Sequence, residues 1–272
     1  MKLSVMGVAL LSAAGLSLAA PAISAPAHPA AKHTAARATS KTAAWAALGK
    51  LPDWTTGVWQ IDWGALFGPG GRPEPPSLTP EYAAKLKAFQ ESQKKGENVQ
   101  NANANCLPPG VPGIMQMPYP LEFIYSPGRV TIAIETDSQV RRIYTDGRKH
   151  PDDPDLTFNG DSIGHWEGDT LVADTIALNE TTDIAPGVGH SDQLRIVERF
   201  RQTGPDKLEI ATTITDPKVL TKPWTVTRPY LRHSDWQIQE YVCEQNNHDF
   251  ADDKGRAGFR LGDDAPAPAP AH

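Results

Sequence analysis

The segment 162–175, SIGHWEGDTLVADT, gathers His165, Glu167, Asp169 and Asp174 into one short stretch. An imidazole titrates near neutral pH, so His165 has the chemistry of a general acid or base. His165 and Glu167 are two residues apart and would point the same way on a regular strand, where Asp169 or His190 could complete a divalent metal site. Gly168, however, opens a tight turn. Turning breaks the alternation and gives Glu167 and Asp169 to hairpin geometry, so no metal is expected. The H-x-E spacing also occurs in zinc deaminases, but the paired cysteines of those sites have no counterpart here.

A second set lies just upstream. Tyr144, Asp146, Arg148 and His150 alternate, and would present a phenol, a carboxylate, a guanidinium and an imidazole on one side if a strand ran on through them. Such a set can orient and protonate a small oxygenated substrate. The alternative is a turn in which Asp146-Gly147 serves backbone shape and Arg148 is solvated. His190-Ser191 follows the glycine-rich PGVG, but adjacent side chains diverge and no G-x-S-x-G elbow exists, so serine hydrolase chemistry is not expected. Ser191 reads instead as a strand cap.

The candidate catalytic residues are therefore His165, His150, Tyr144, Asp146, Arg148 and His190. For each histidine the alternative is a ring hydrogen-bonded to neighbouring backbone. Glu198 shares a strand face with Leu194, Ile196 and Phe200, so it is a carboxylate in an apolar row. It either pairs with an arginine, for which Arg142 is the candidate, or serves a ligand. Trp59, Trp166, Arg142 and Glu198 are the candidate ligand contacts. No glycine-rich phosphate loop is present, so no nucleotide cofactor is expected.

These residues need a β scaffold to hold them. Apolar residues recur with period two along Trp59-Ile61-Trp63, Leu121-Phe123-Tyr125, Val130-Ile132-Ile134 and, including an arginine, Val140-Arg142-Tyr144. Further strands read QLRIVERFR, KLEIATTIT, WTVTRPYLR and DWQIQEYVC, between short turn sequences. About ten short strands in succession predict an antiparallel meander that closes into a barrel, with a β-sandwich as the alternative. One helix is signposted by Thr79 as cap, Pro80 at the first position and Gly96 at the end, with Tyr82, Leu86, Phe89 and Gln93 on one face. It sits in the long excursion 64–121, which suggests a lid or plug across one barrel mouth.

Gly57-Val58-Trp59 resembles the G-x-W of lipocalin and related calycin barrels. The segments CLPPGVPG, PYPLEFIY, RRIYTDGRKHP, SIGHWEGDTLVADT, HSDQLRIVERF and EYVCEQN resemble an uncharacterised family of secreted β-rich proteins from Gram-negative bacteria. That resemblance implies an exported, β-rich protein and carries no reaction with it.

Met1, Lys2 and the small apolar run to Ala25 have the form of a secretory signal peptide, which places the protein in the periplasm or outside the cell. Residues 26–50 read as a disordered Ala-rich linker, 51–250 as one domain, and 251–272 as a disordered Ala/Pro tail. No membrane span is expected after signal cleavage. The 272 residues carry 26 Lys and Arg against 32 Asp and Glu, a net charge of −6, with no basic run in the folded part. Nucleic acid is therefore not an expected partner.

Cys106 and Cys243 are the only cysteines, and in an oxidising compartment they should pair. Closing so long a loop should stabilise the fold by about 4 kcal/mol. The expected function is cofactor-free acid/base catalysis (isomerase, lyase or non-serine hydrolase) on a small organic molecule in the barrel mouth. The alternatives are a non-catalytic carrier of a small hydrophobic ligand and a structural envelope protein. The sequence leaves the oligomeric state open.

Overall fold

The structure, a computed structural model, describes residues 35–68, 73–95, 106–243, 249–251 and 257–259. The segment read as a signal peptide, most of the C-terminal tail and Gly96 lie outside the described residues. Nine strands close a barrel, and no sandwich is needed to account for them. They begin with β1 (Val58–Ile61), β2 (Leu121–Ser126), β3 (Arg129–Ile134), β4 (Gln139–Tyr144), β5 (Asp161–Glu167) and β6 (Thr170–Ile176). A two-stranded ribbon, β7 (Asp183–Ala185) and β8 (Val188–Gly189), interrupts the series. β9 (Arg195–Gly204), β10 (Lys207–Thr215) and β11 (Trp224–His233) complete the wall, and β11 returns to β1. A separate ribbon, β12 (Asp249–Ala251) with β13 (Ala257–Phe259), follows.

The hairpin of the His165 segment forms as its glycine requires: Glu167 pairs with Thr170 across a tip at which Gly168 has φ +60°. β4 and β5, by contrast, run parallel, so the meander is not antiparallel throughout. The chain from 145 to 160 is a crossover that returns outside the wall, and Asp146-Gly147 turns into it.

Side chains fill the barrel. Phe123, Val130, Ile132, Ile143, Leu171, Ile196, Phe200, Leu208 and Ile210 are each at most 1% exposed. Burying a side chain of this size is worth about 1.5–3 kcal/mol, so these rows dominate the stability of the fold. One end is capped by Trp54, whose ring meets Phe123, Trp166 and Phe200 at centroid distances of 5.3, 5.2 and 6.4 Å. The other end is plugged by Val111, Ile114 and Met115, all under 5% exposed.

The plug is thus a turn of 3₁₀ helix around Gly113–Gln116 and not the signposted helix. That helix, α3 (Pro80–Lys94), buries none of its residues fully. Tyr82, Leu86 and Phe89 form its half-buried side, while Gln93 is exposed. The Phe89 ring lies against Gly187, where an added Cβ would come within 2.4 Å of it. Thr79 precedes the helix in extended conformation, but its hydroxyl donates to the Lys218 carbonyl at 3.0 Å and does not cap.

Other differences from the periodicity have local causes. Trp63 does not extend β1, because Asp62 accepts a hydrogen bond from Ala65 N at 2.9 Å and starts a short helix, α2 (Trp63–Phe67). DWQIQEYVC is not a strand: residues 234–243 form an irregular strap along the outside of the wall. The Ala-rich segment contains a helix, α1 (Ala35–Leu48), whose Ala44, Ala47 and Leu48 face the Ser126–Val130 turn and Trp166 across a small cleft. No helix among the described residues is long and apolar enough to cross a membrane.

The G-x-W has a physical basis. Gly57 has φ +71°, and a Cβ there would sit 2.6 Å from the His233 carbonyl oxygen, which only glycine avoids. Trp59 is fully buried, donates from Nε1 to the Trp54 carbonyl at 2.9 Å, and has the Arg232 guanidinium 4.6 Å from its ring centre. It belongs to the core and not to an open ligand cavity.

Cys106 and Cys243 form a disulfide, with their Cα atoms 5.6 Å apart. It fastens the end of the strap to the segment that enters the plug. Replacing both cysteines by alanine should lower the unfolding free energy by about 2–5 kcal/mol. Chemical denaturation of the oxidised protein against the double variant measures this, and equal midpoints would refute it.

Candidate functional site

The feature that organises the polar residues is the seam between β4 and β5. These strands pair only at Ile143↔Ser162 and Tyr144↔Ile163, whereas β9 and β10 pair along nearly their whole length. Below that contact the strands part, and a cleft of about 400 Å³ opens in the barrel wall. Gln139, Arg142 and Tyr144 line one side; Asn159, Asp161 and the backbone of 157–160 line the other.

Several groups here await a partner. Arg142 is exposed and has no ion pair or hydrogen bond among the described residues. Asn159 donates from Nδ2 to Gln139 Oε1 at 3.2 Å, but its own Oδ1 is buried with no hydrogen-bond partner. An unsatisfied buried oxygen of this kind costs about 1–3 kcal/mol.

The Asp161 carboxylate lines the cleft and is fixed from behind by the crossover. His150 Nδ1 lies 2.5 Å from Asp161 Oδ1; toward a carboxylate the imidazole is the donor. The other ring nitrogen, Nε2, is buried and faces Asp174 Oδ2 at 3.6 Å, beyond hydrogen-bond reach. Arg195 grips Asp174 through both oxygens, with Nε at 2.8 Å from Oδ1. Burial pushes the Asp174 carboxyl up, yet Arg195 and then His150 outweigh it and hold the group below its ordinary value.

Tyr144, Asp146, Arg148 and His150 do not form one row, because β4 ends at Tyr144. Asp146 and Arg148 form an exposed pair at 2.6 Å, and Arg148 lies 3.8 Å over the Tyr144 ring. Hydrogen bonding from Arg148 holds the Asp146 carboxyl below its ordinary value. The loop thus uses Asp146 to aim Arg148 onto Tyr144, and sends His150 on to Asp161.

His165 is not part of the cleft. Its side chain is 64% exposed on the outer face, with Nε2 3.1 Å from Glu167 Oε1. Arg199 also binds Glu167, at 2.7 Å, and with His165 keeps that carboxyl low. His190 is likewise elsewhere: Nδ1 meets the Ser191 carbonyl at 2.9 Å, and Nε2 meets the Asn179 carbonyl and the Thr182 hydroxyl. Both ring nitrogens are occupied locally, which is the backbone-bonding alternative. Ser191 donates from N and Oγ to Asp216, each at 2.7 Å. Among the described residues no cluster of His, Cys, Asp and Glu has metal-holding geometry.

Glu198 faces the core and pairs with an arginine, but that arginine is Arg141 and not Arg142. The register explains it. Inward-facing Val130 and Ile132 of β3 stand opposite Ile143 and Arg141 of β4, so Val140, Arg142 and Tyr144 point outward. Arg141 and Glu198 are both fully buried, with Nη1 donating to Oε1 at 3.1 Å and Nη2 also on Oε2. Nη2 further donates to Thr175 Oγ1 at 3.1 Å, which lies 2.8 Å from Ser162 Oγ. Trp166 belongs to the aromatic cap, in edge contact with Tyr125 at 6.0 Å.

The sequence reading grouped Tyr144, Asp146, Arg148 and His150, named Arg142 only as a partner for Glu198 or a ligand contact, and did not single out Asp161 or Asn159. Those two stand at a strand start in FNGDS, with no spacing signal to mark them. No protein-family model matches this chain, and no curated protein matches it.

Two predictions arise from these contacts. Glu198→Gln leaves a buried guanidinium uncompensated and should cost about 3–5 kcal/mol, whereas Arg141→Met with Glu198→Leu should recover most of that loss. Denaturant midpoints of the single and double variants decide it. Asp174 binds its proton later in the folded chain than in the unfolded one, whose value is near 3.8. Its contribution is complete above that value and is lost as pH falls through the lower folded value. Asp174→Asn should therefore lower stability at neutral pH and flatten its fall in acid, and a variant parallel to wild type below pH 4 would refute this.

Proposed function

We propose that this protein is an exported enzyme that performs cofactor-free acid/base chemistry on a small oxygenated organic anion held in the β4–β5 cleft. The observation that carries the reading is that Arg142, unpaired among the described residues, lines one cleft with Tyr144 and with Asp161, whose carboxylate His150 fixes. Arg142 would bind the anionic group of the substrate. The Asp161 carboxylate would take a proton from the substrate, with His150 as the positioning residue on its other oxygen. Charge left on the substrate would face Arg142, and the Tyr144 hydroxyl could return a proton at a second atom. Isomerisation and elimination both fit that sequence. The signal-like N-terminus and the resemblance to secreted proteins support the exported location, with which the disulfide is compatible.

A carrier reading draws on one observation. His150 Nε2 is buried and faces Asp174, while Nδ1 is bound to Asp161, so the imidazole has no accessible nitrogen to offer a substrate. A carrier would bind in the same cleft and release its ligand unchanged.

The test uses a panel of small keto, hydroxy and unsaturated carboxylates, followed by thermal shift and by proton NMR in deuterated solvent. A member of the panel should bind, and Arg142→Ala should weaken it about tenfold. Asp161→Asn should slow its deuterium exchange or conversion by about 10²-fold or more, the usual worth of a positioned base. Binding unaffected by Arg142→Ala sinks the cleft assignment. Binding that needs Arg142 without any exchange or conversion sinks catalysis and establishes the carrier.

A further inference from the structure

The barrel has a second weak seam. β1 and β2 pair only at Trp59↔Leu121, and the strap 234–243 runs outside that join. The strap is fixed there: Gln239 N donates to Glu135 Oε2 at 2.8 Å, Ser138 Oγ donates to the Tyr241 carbonyl at 3.1 Å, and Tyr119 meets Tyr241 edge-on at 5.3 Å. The disulfide closes its far end. Between strap and wall lies an open groove of about 560 Å³, within the size range of small-molecule sites.

Its lining has a distinct chemistry. Trp236 rests on the His233 ring at 3.7 Å and 10° between planes, yet remains 42% exposed and borders the groove. A large indole held flat by one stacking partner and left to solvent is a ready platform for an apolar surface. Around it stand Gln60, Gln237 and Gln239 with Glu135 and Asp235. Among the described residues no lysine or arginine lines the groove.

The hydrogen-bond inventory favours one ligand class. Gln60 spends Nε2 on the Pro118 carbonyl, and Gln239 spends Nε2 on the Gln237 carbonyl. Their Oε1 atoms, the second oxygen of Glu135 and the Asp235 carboxylate make no hydrogen bond among the described residues. The groove thus offers acceptors and a flat aromatic face. It repels anions and has no cation of its own to hold them. A ligand that brings many hydroxyl donors and one apolar ring face satisfies both features.

We infer that this groove binds a neutral sugar. The ring face of a pyranose stacks on Trp236, and its hydroxyls donate to the Gln60, Gln237, Gln239 and Glu135 oxygens. Amides outnumber carboxylates on the wall, which suits a polyol better than a polycation. The site is separate from the β4–β5 cleft and does not depend on what that cleft does.

The experiment titrates the full chain with cellotriose, maltotriose and fully N-acetylated chitotriose, followed by tryptophan fluorescence and calorimetry, with spermidine and citrate as controls. Sites of millimolar affinity saturate by about 10 mM ligand. At least one of the three should bind with a change in tryptophan emission, and Trp236→Ala should weaken it tenfold or more. Gln237→Ala, which removes a side chain with no protein hydrogen bond, should weaken it severalfold with an unchanged melting temperature. Arg142→Ala should leave it untouched, which separates this site from the other. No saturable binding of any of the three sugars overturns the assignment. So does sugar binding that survives both Trp236→Ala and Gln237→Ala, or saturable binding of spermidine alone.

Discussion

Closing nine strands in up-and-down order imposes a parity condition: alternating directions cannot return to their start after an odd number, so one neighbouring pair must run parallel. Here that pair is β4 and β5. A parallel neighbour cannot be reached by a tight turn, so the chain must travel from 145 to 160 outside the wall before β5 begins. The crossover therefore exists because of the closure. It is also what brings His150 to Asp161 and Asp174, and what lays Arg148 on Tyr144.

The same seam explains the buried ion pair. With only two residue pairs joining β4 to β5, backbone hydrogen bonding there is thin. Arg141 on β4 reaches Ser162 on β5, Thr175 on β6 and Glu198 on β9. The guanidinium thus ties the two sides of the seam from within, while His150 ties the crossover to the wall from without. A buried charge pair is a poor source of net stability compared with apolar packing. Its value here lies in register: sliding β4 by one residue would withdraw Arg141 from Glu198 and put Arg142 outside its cleft.

Much of the barrel was legible because period two is a strong signal where one face is apolar. Val130-Ile132-Ile134 in β3 and the Gly168 hairpin are the clear instances. Glu198 was legible as a core-facing carboxylate for the same reason, being the polar member of an apolar row. Its partner was not, because VRRIY offers two arginines on opposite faces, and an aromatic on one row competes with an isoleucine on the other. Only the pairing with β3 decides between them. The strand reading of DWQIQEYVC, 235–243, failed for a related reason: alternation there belongs to a strap lying along the wall, and pattern alone does not show that a neighbouring strand is lacking. His165 had the most suggestive local composition, yet it faces solvent, because residues two apart on a strand share the outer face with Glu167 as readily as the inner one.

Where a ligand can sit is decided by how the interior is filled. Phe123, Phe200 and Trp54 close the barrel under one end and Val111, Ile114 and Met115 under the other, so neither mouth leads into an open interior. Packed cores resist the opening of a cavity at a cost that grows with its volume. A wall seam carries no such cost, because its strands are already apart and its polar groups already meet water. Two clefts lined by polar groups occur at the two joins with the fewest residue pairs, β4–β5 and β1–β2. Each is flanked by a segment running outside the wall, the crossover in one case and the disulfide-fastened strap in the other. A seam supplies unpaired backbone and diverging side chains, and an outer segment supplies the second wall of a groove. In this barrel the room left for a ligand lies at the defects of the sheet, because apolar side chains fill its interior.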